Sequence, residues 1–539
     1  MALEKQVYRC FEDIVGPDNI SEEPAVLDSY AHHEDAYSQT GGGWWMPRFE
    51  AVLLPGNTGE VQAIVKACNR WRIKFKAQTT GNGPWNCPLS EGCIGLDMRR
   101  MNRIIEINEK GMYAVIEPYV IGAQLQAELM KRGLVTGMIG PGGYTSAFPI
   151  TSLEGGGFLS TAFGHQHRNL LGLEWVLPDG EILRTGSLGQ GAGWFGSEGP
   201  GPSLRALACG ASSTHGGVGV FTMAATKVYH WPGPREFPVD GVSPSYYWKP
   251  QPYFGLWHFN APSYEKVADA GYKISRNEIA IMLERTAAWV LASDGGRDMD
   301  EVLRDLKEIQ AQVQGRGMVC GFTVIIGAET EKEFRYKEKT LMQIIKDVDG
   351  ELMPFFEDNP DYKARFMSRW LRASSGDRWN RRCGGLFIPG FLFTMDGGDQ
   401  AVNLCKVSTG VKKELIEAGR LWDDGADAAH GHWCEHGRTA AIENLGSGPQ
   451  NPDGWSASGD LMLRGLEMMA DPENKVCSTI MGPRIGWSAG EKPGKPLPAF
   501  YNKPFYNKQF WVNDLSWVRQ IRKAIDPNDV VESSTYSGE

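Results

Sequence analysis

The sequence predicts an α+β protein of two lobes, and three observations support this class. Short apolar runs alternate with helical patterns before Trp231, as in an α/β lobe. Longer amphipathic patterns alternate with apolar runs farther along the chain, as in an α+β lobe. Two stretches rich in proline, glycine and aromatic residues, 231–253 and 486–510, mark the crossings between the lobes. The 539 residues suffice for several domains of roughly 150 residues each.

Composition narrows the classes of function. The net charge of −10 and the lack of a basic stripe argue against binding to nucleic acid or to an anionic membrane, and favour a small or apolar substrate. The N-terminus lacks a signal-peptide pattern, and no apolar run of about 18 residues predicts a membrane span. The ten cysteines lack CxxC spacing, which is typical of reduced thiols in a cytoplasmic enzyme.

In the first lobe, "AVLLPGNTGEVQAIVKACNRWRIKFKAQTTG" (51–81) predicts a strand, a turn, a helix and a second strand, with Thr58 as the N-cap. Four apolar side chains share one face of this helix: Val61, Ile64, Val65 and Cys68. Downstream, "LEWVLPDGEILRTG" (173–186) predicts a hairpin that turns at Pro178, Asp179 and Gly180.

In the second lobe, "MDEVLRDLKEIQAQV" (299–313) and "KEFRYKEKTLMQIIKDV" (332–348) have helical periodicity. They alternate with the apolar runs "GFTVIIGA" and "GGLFIPGFLFTM", which predict strands. This arrangement favours an α+β fold for the lobe.

Three segments rich in glycine and other small residues are the candidates for ligand contact. They are 78–108, 138–169 and 199–232. Glycine lets the backbone approach a ligand and turn its N–H groups towards a phosphate, and the 66 glycines of the chain exceed average usage of about 7%. The first segment lacks GxGxxG and the lysine of a P-loop, so a standard nucleotide loop is not expected. An ordinary turn is the alternative for that segment.

Taken in order, these segments resemble a known family. The text from "AVLLPGNTGEVQAIVKACN" through "LDMRRMNRIIEINEKGMYAVIEPYVIGAQLQAELMKRGL", "GLEWVLPDGEILRTG" and "GASSTHGGVGVFTMAATKVYHWP" resembles the FAD-binding domain of the vanillyl-alcohol oxidase and p-cresol methylhydroxylase superfamily. The match covers roughly residues 48 to 232, and "WVRQIRKAIDPNDVVESSTYSGE" resembles that superfamily's closing helix and turn. The branch that oxidises para-substituted phenols is the nearest, since "RRCGGLFIPGFLFT" resembles its glycine-rich strand.

The resemblance implies a domain organisation, a cofactor and a set of contact residues. The domains would be an FAD-binding domain (1–232), a substrate or cap domain (233–509) and a C-terminal return to the first domain (510–539). The cofactor-binding positions that it implies are Thr80, Gly81, Asn82, Gly83, Pro84, Trp85, Asn86, Pro141, Gly142, Gly143, Ser152, Gly155, Gly156, Gly157, Ser160, Gly164, His165, Gly217, Val218 and Val220.

The chain departs from the family pattern in ways that bear on chemistry. The first glycine loop has no histidine, and no tyrosine precedes the glycine-rich strand, so we expect non-covalent FAD, with Cys383 and His436 as the remaining candidate anchors. The Tyr-Arg pair that binds phenolate in the phenol-oxidising branch has no counterpart in "ENKVCSTIMGPRIGW". A simple phenol is therefore not the expected substrate.

Two groups of histidines are candidates for chemistry. His165 follows Phe163 and Gly164, where the phenol-oxidising branch has an acidic residue near flavin N5, and we expect it to face the flavin. His-x-His spacing predicts that His165 and His167 share one face of a strand, with a metal site as the alternative.

The second group is "AHGHWCEHGR" (429–438), which contains three histidines, one cysteine and one glutamate. Alternate residues of a strand lie roughly 6.6 Å apart, so all of them could not hold one ion. "CEHG" is similar to the "GEHG" metal segment of the superfamily's hydroxy-acid dehydrogenases, but the companion "GH-GDGN-H" segment is absent. We predict no metal and a substrate chamber, with His436 as an acid or base, since imidazole titrates near neutrality.

The sequence thus predicts an FAD-dependent oxidoreductase that transfers a hydride from an alcohol, or from an activated benzylic or allylic carbon, to flavin N5. His165, His436 and Arg381 are the predicted catalytic residues. The alternatives are a 2-hydroxy-acid dehydrogenase, a flavin-domain subunit without activity in a larger redox complex, and a zinc hydrolase built on "HGHWCEHG". We expect a homo-oligomer, with a separate electron-accepting subunit as a further partner.

Overall fold

The computed structural model defines both lobes and the junction between them. It describes residues 3–31, 47–81, 91–137, 143–148, 157, 159–196, 198–199, 203–209, 217–236, 238–240, 247–249, 251–295, 298–371, 385–390, 392–393, 397–425, 427, 429–449, 451, 453–454, 456–457, 460–461, 464, 468, 472–474, 479–480 and 514–532. Every structural statement below refers to these residues.

Helices occur in both lobes and at the C-terminal end. They are α1 (Lys5–Val15), α2 (Pro24–Ala31), α3 (Thr58–Trp71), α4 (Gly122–Met130), α5 (Ser160–Phe163), α6 (Gly186–Gly189), α7 (Arg205–Ala208), α8 (Tyr264–Arg276), α9 (Ala288–Gly295), α10 (Met299–Val313), α11 (Glu331–Asp347), α12 (Pro354–Glu357), α13 (Pro360–Leu371), α14 (Gly398–Glu417) and α15 (Asp514–Ile525).

The strands form sheets within each lobe. They are β1 (Ile20–Ser21), β2 (Val52–Leu53), β3 (Lys74–Gln78), β4 (Cys93–Asp97), β5 (Ile104–Asn108), β6 (Tyr113–Ile116), β7 (Leu134–Val135), β8 (Leu170–Val176), β9 (Ile182–Arg184), β10 (Val220–Lys227), β11 (Tyr229–His230), β12 (Val239–Asp240), β13 (Tyr247–Trp248), β14 (Phe254–Ala261), β15 (Met282–Thr286), β16 (Val319–Gly327), β17 (Glu351–Leu352), β18 (Gly385–Gly390), β19 (Leu392–Phe393), β20 (Ala429–Cys434), β21 (Thr439–Pro449) and β22 (Thr479–Ile480).

A mostly parallel sheet begins the first lobe. Its described strands follow the order β1-β2-β4-β3, in which β2 and β3 both run parallel to β4. The C-terminal residues return to this sheet: the Phe75 N–H donates to Val530 O at 2.8 Å, and the Glu532 N–H donates to Phe75 O at 2.9 Å. The first and last segments of the chain therefore share one hydrophobic core.

An antiparallel sheet completes the first lobe, with described strands in the order β5-β6-β10-β8-β9. The predicted hairpin is confirmed as β8 and β9, with Glu174 opposite Arg184. Gly180 has a φ of +86°, which only glycine adopts readily, so the turn lies where the sequence predicts it.

The middle lobe is built on a long antiparallel sheet with the described strand order β17-β14-β16-β15-β20-β21-β18. Helices α8, α11 and α14 cover one face of this sheet, where the Trp433 ring meets Phe322 edge-on at 4.9 Å. Helices α9, α10, α12 and α13 pack against the other face beside the first lobe. Both faces are therefore covered, and polar residues on β15 and β20 are removed from water.

Local sequence signals locate the helices well, with one error. Asn57 is the N-cap of α3, since its side chain accepts from the Glu60 N–H at 3.0 Å, so the prediction of Thr58 is wrong. The Thr58 hydroxyl instead donates to Glu174 Oε1 at 2.7 Å, and this tertiary contact moves the cap by one residue. The four apolar residues predicted on one face of α3 are all buried.

Adding a methyl group at Gly271 should destabilise the middle lobe. A Cβ there would lie 2.6 Å from Trp433 Nε1 and 2.9 Å from Phe322 Cζ, and rigid rings do not yield. We expect Gly271→Ala to lower the free energy of unfolding by about 1–3 kcal/mol in urea denaturation. The control is Gly410→Ala in α14, where no atom lies within 4 Å, and helix propensity predicts a small gain. Equal effects in the two variants would contradict this packing.

Candidate active site

The first two glycine-rich segments meet near Thr80. The Ser146 N–H donates to Thr80 Oγ1 at 3.1 Å, which joins the end of β3 to the second segment. The neighbouring Gly81 has a φ of +70°, and a Cβ there would meet no atom of the described residues within 4 Å. Glycine at this position leaves the backbone uncovered on that side, which permits contact with a ligand.

Gly143 has a different role, because it packs tightly on α4. The Ala123 N–H donates to Gly143 O at 2.7 Å, and a Cβ on Gly143 would lie 3.0 Å from the Ala123 Cβ. The close approach of two backbone segments is by itself sufficient reason for glycine at this position.

The second segment ends in the short helix α5. The Gly157 N–H donates to Ser160 Oγ at 2.6 Å, and the Ser160 N–H donates to Gly157 O at 2.8 Å, so these groups cap each other. At the other end of α5, Gly164 has a φ of +74°, which reverses the chain before His165.

The third segment enters β10 through buried residues. Gly217 has a φ of +71°, and the Trp175 Nε1–H donates to Val218 O at 3.0 Å. Val220 is buried in the core of the first lobe. These positions hold the backbone close to the centre of that lobe.

Several predicted site residues lie outside the described residues. They are Asn82, Gly83, Pro84, Trp85, Asn86, Pro141, Gly142, Ser152, Gly155, Gly156, the predicted catalytic Arg381 and the candidate anchor Cys383. Their roles stay predictions.

His165 lies at the inner edge of the first lobe with 1% of its surface exposed. Neither ring nitrogen has a hydrogen-bond partner in the part of the chain that the structure describes. Burial lowers the pKa of His165 to about 4, and the nearby His167 adds to the shift. His165 is therefore neutral at pH 7 and has hydrogen-bonding capacity that a bound group could satisfy.

The segment after His165 is a 3₁₀ turn over Gln166–Asn169, so the prediction of a strand is wrong. The hydrogen bond from Arg168 N–H to His165 O, at 3.0 Å, closes this turn. The rings of His165 and His167 are nevertheless neighbours, with centroids 5.6 Å apart.

A buried carboxylate–imidazole contact on the middle sheet joins Glu284 of β15 and His432 of β20. The two residues lie directly opposite each other, and His432 Nδ1 contacts Glu284 Oε2. Glu284 is completely buried and His432 is 6% exposed. Helix α5, which ends two residues before His165, packs against both β20 and β15, so the pair lies near His165.

A row of buried polar side chains extends from Glu284 across the sheet, away from His432. Thr323 lies opposite both Glu284 and His258 in the strand register. Its hydroxyl is 2.9 Å from His258 Nδ1 and 3.0 Å from Thr286 Oγ1. Burial lowers the pKa of His258 to about 3, so this end of the row is neutral.

Glu435 is the charged residue nearest the backbone before His165. Its carboxylate accepts from Arg168 Nη1 at 2.5 Å and from Arg438. A Cβ on Gly164 would lie 3.5 Å from Glu435 Oε1. Burial raises the pKa of Glu435, but the hydrogen bond from Arg438 and the charge of Arg168 outweigh this, so its pKa is lowered.

The structure separates His436 from the other histidines of its segment. His430 and His432 lie on β20, whereas His436 follows the strand in a 3₁₀ turn. Its side chain is 61% exposed, with Nδ1 3.3 Å from Ser275 O and Nε2 3.6 Å from Glu278 Oε1. Its assignment as an acid or base stays a prediction.

Sequence reasoning missed Glu284 and Glu435. A signal for Glu284 was present: "IAIMLERTAAWV" puts a charged pair inside an apolar strand, and such charges are paired when buried. No local signal identifies Glu435, because its partner Arg168 is distant in the chain. Among the described residues, no three His, Cys, Asp or Glu side chains converge to hold a metal ion.

The described residues fit a flat, polar cofactor at the inner edge of the first lobe. Gly81 offers bare backbone, and His165 offers two ring nitrogens without partners at a buried surface. The family resemblance assigns Thr80, Gly164 and Gly217 to the same cofactor, and this assignment stays a prediction.

Comparison with known families identifies this cofactor. A family described as "FAD binding domain" matches residues 49–186, which include the first two glycine-rich segments and the β8–β9 hairpin. Residues 49–186 are an FAD-binding domain. The predicted FAD cofactor is thereby confirmed, while the comparisons do not distinguish covalent from non-covalent attachment.

Curated relatives of the FAD-binding domain include redox enzymes. The chain is 27% identical over 242 residues to the glycolate oxidase subunit GlcD of Bacillus subtilis, covering 43% of this chain and 47% of GlcD. It is 29% identical over 139 residues to the flavoprotein subunit of 4-cresol dehydrogenase (hydroxylating) of Pseudomonas putida, covering 25% of this chain and 27% of that subunit. The chain thus spans less than half the length of these curated relatives.

Solved structures extend the likeness beyond the FAD-binding domain to the whole fold. p-Cresol methylhydroxylase with substrate bound aligns with a TM-score of 0.71 and 16% identity, over 97% of this chain and 95% of that chain. The 4-ethylphenol oxidase of Gulosibacter chungangensis, in its isoeugenol complex, aligns with a TM-score of 0.68 and 18% identity, over 99% and 97%.

These comparisons confirm the α+β fold of the p-cresol methylhydroxylase type and the resemblance to that superfamily. The FAD-binding domain and the redox enzymes among the relatives support the predicted class, FAD-dependent oxidoreductase. The domain boundaries stay a prediction. None of the described helices is both long and apolar enough to cross a bilayer.

Burial of neutral His165 predicts a loss of stability in acid. Its pKa is about 4 in the fold against 6.5 when exposed, so the unfolded chain binds more protons between these values and stability falls as pH drops from 6.5 towards 4. We expect His165 to lower the free energy of unfolding by about 2 kcal/mol between pH 7 and pH 5, as measured by urea denaturation. His165→Asn should remove that loss. His436→Asn, at an exposed ring, is the control. An unchanged pH dependence in His165→Asn would contradict the burial of a neutral ring.

Proposed function

We propose that this chain oxidises an alcohol, or an activated benzylic or allylic carbon, of a small uncharged substrate. The observation that carries the proposal is the buried Glu284–His432 pair, which lies on the strands that pack against α5. His165 follows this helix, and its ring has no hydrogen-bond partner among the described residues. FAD, when bound, supplies the acceptor for a hydride. The protein residues must then orient the substrate, exclude water and manage the proton that leaves with the hydride.

His432 is suited to hold that proton. With Nδ1 facing the Glu284 carboxylate, the neutral ring would carry its proton on Nδ1 and its lone pair on Nε2. A carboxylate in this position orients an imidazole base and stabilises its protonated form. We therefore assign proton acceptance to His432 and orientation of its ring to Glu284.

Charge at the junction favours a substrate without a carboxylate. Arg168 and Arg438, the cations beside His165 and Glu435, both bind the Glu435 carboxylate. Both guanidinium groups donate hydrogen bonds to Glu435, whose single negative charge offsets one of the two positive charges, so neither arginine is held towards a substrate carboxylate. An alcohol or a benzylic carbon needs no such cation.

A 2-hydroxy acid is the second candidate substrate, and similarity to the glycolate oxidase subunit GlcD favours it. Its carboxylate would require a further cation, and the predicted catalytic Arg381, which lies outside the described residues, is the candidate. The name of the Pseudomonas putida relative, a flavoprotein subunit, suggests by analogy a separate electron-accepting subunit for this chain as well.

The visible spectrum tests the cofactor and the reaction together. We expect flavin bands that move to the supernatant after acid precipitation, because the first glycine loop offers no histidine for a covalent bond. We also expect anaerobic bleaching by benzylic or allylic alcohols. Bleaching by glycolate or lactate alone would favour the 2-hydroxy acid, and flavin retained in the pellet would point to Cys383 or His436 as an anchor. A yellow protein that no substrate bleaches would favour a subunit without activity.

Glu284→Gln should slow anaerobic flavin reduction by roughly 10²–10⁴-fold, since a neutral amide cannot orient or charge-stabilise His432 as a base. The control is Glu278→Gln, because Glu278 pairs with the exposed His436 in the same carboxylate–imidazole combination. Stopped-flow absorbance measures both rates. Parallel variants His432→Gln and His436→Gln decide between the two histidines: a large loss only in His436→Gln would contradict the assignment to His432.

A further inference from the structure

Glu435 lies where the two lobes meet, in an unusual backbone segment. Glu435, His436 and Gly437 have consecutive φ values of +49°, +62° and +78°. Residues other than glycine adopt this left-handed region at a cost of about 1–3 kcal/mol each, and such conformations persist only when surrounding contacts fix them. Contacts with the surrounding residues must therefore hold this turn in place.

Two of these contacts cross from the middle sheet to the FAD-binding domain. The Thr161 hydroxyl in α5 donates to Trp433 O at 2.5 Å, and Arg168 Nη1 donates to Glu435 Oε2 at 2.5 Å. The second is an ion pair between a carboxylate that is 15% exposed and an arginine side chain that is 43% exposed. Arg438 binds the same oxygen but belongs to the same turn as Glu435.

His165 needs this support because its own ring makes no hydrogen bond within the described chain. The position of an unbonded ring is set by its backbone and by packing. The backbone of His165 is fixed by Gly164 on one side and by the hydrogen bond from Arg168 N–H on the other. Glu435 is next to both of these residues. Its carboxylate lies beside the Gly164 backbone and accepts a hydrogen bond from the Arg168 side chain.

We infer that Glu435 is a positioning residue that fixes the His165 turn against the Glu284–His432 pair by binding Arg168 across the junction of the lobes. The predicted effect of Glu435 on the reaction rate rests on the proposed function. The Arg168–Glu435 contact, called the link below, does not depend on a substrate. Glu435 acts through Arg168 and Gly164 and does not need to touch the substrate.

The test compares the two arginines that bind Glu435 in the purified, FAD-loaded chain. Glu435→Gln and Arg168→Met should each slow anaerobic flavin reduction by roughly 10–100-fold, the usual range for a lost orienting contact. The double variant should be no slower than either single one, since both remove the same link. Arg438→Met, which leaves the crossing contact in place, should stay within about twofold of the wild type.

A second measurement reports the link without a substrate. Hydrogen exchange of the Gly164 and Arg168 amides, followed by mass spectrometry of peptides that span 160–169, should be faster in Glu435→Gln and Arg168→Met than in the wild type and in Arg438→Met. Arg168→Lys keeps the charge but not the forked guanidinium group. Its rate of flavin reduction and its hydrogen exchange should lie between those of Arg168→Met and the wild type.

Three results would overturn the inference: equal effects of Arg438→Met and Arg168→Met, additive effects of the two link variants, or exchange over 160–169 that no link variant alters. If no substrate reduces the wild-type flavin, the proposed function fails and hydrogen exchange alone decides on Glu435. Faster exchange in the two link variants would then still support the positioning role.

Discussion

The pairing of β15 with β20 is the constraint on which the candidate site depends. Its register sets Glu284 opposite His432 and Arg285 opposite Gly431. Side chains alternate between the two faces of a sheet, so a shift of one residue would exchange Glu284 and Arg285 between the junction with the FAD-binding domain and the face covered by α8 and α14. The chemistry proposed for the site requires the observed register.

Buried charges on the opposite face help to hold that register. Arg285 donates to Asp427 through Nη1 at 2.9 Å and Nη2 at 2.7 Å, and is completely buried. Lys412 of α14 donates to Asp427 O at 2.9 Å and pairs with Asp424. A slipped strand would leave these charges buried without partners, at a cost of about 3–5 kcal/mol for a broken pair. The ionic network therefore selects one alignment of β15.

The sequence predicted the elements and the cofactor better than the site. Local periodicity located α3 and α10 and the β8–β9 hairpin, because each depends on neighbours within one segment. The ordered glycine segments predicted FAD. The pairs Glu284–His432 and Arg168–Glu435 join residues more than a hundred positions apart, and no local pattern encodes which distant strands become neighbours. His436 stood out by spacing alone, although the fold turns it towards solvent.

A site divided between two lobes requires the lobes to be held more tightly than a mobile domain interface allows. Interfaces within one chain commonly permit relative motion, whereas proton and hydride transfer need reacting groups within about 0.5 Å of their productive positions. The buried Gln126 of α4 donates to Leu371 O of α13 at 2.8 Å, and Thr161 donates to Trp433 O. Both bonds end on backbone carbonyls, so they fix the main chain of the middle lobe. These separate points oppose relative motion of the two lobes at the junction.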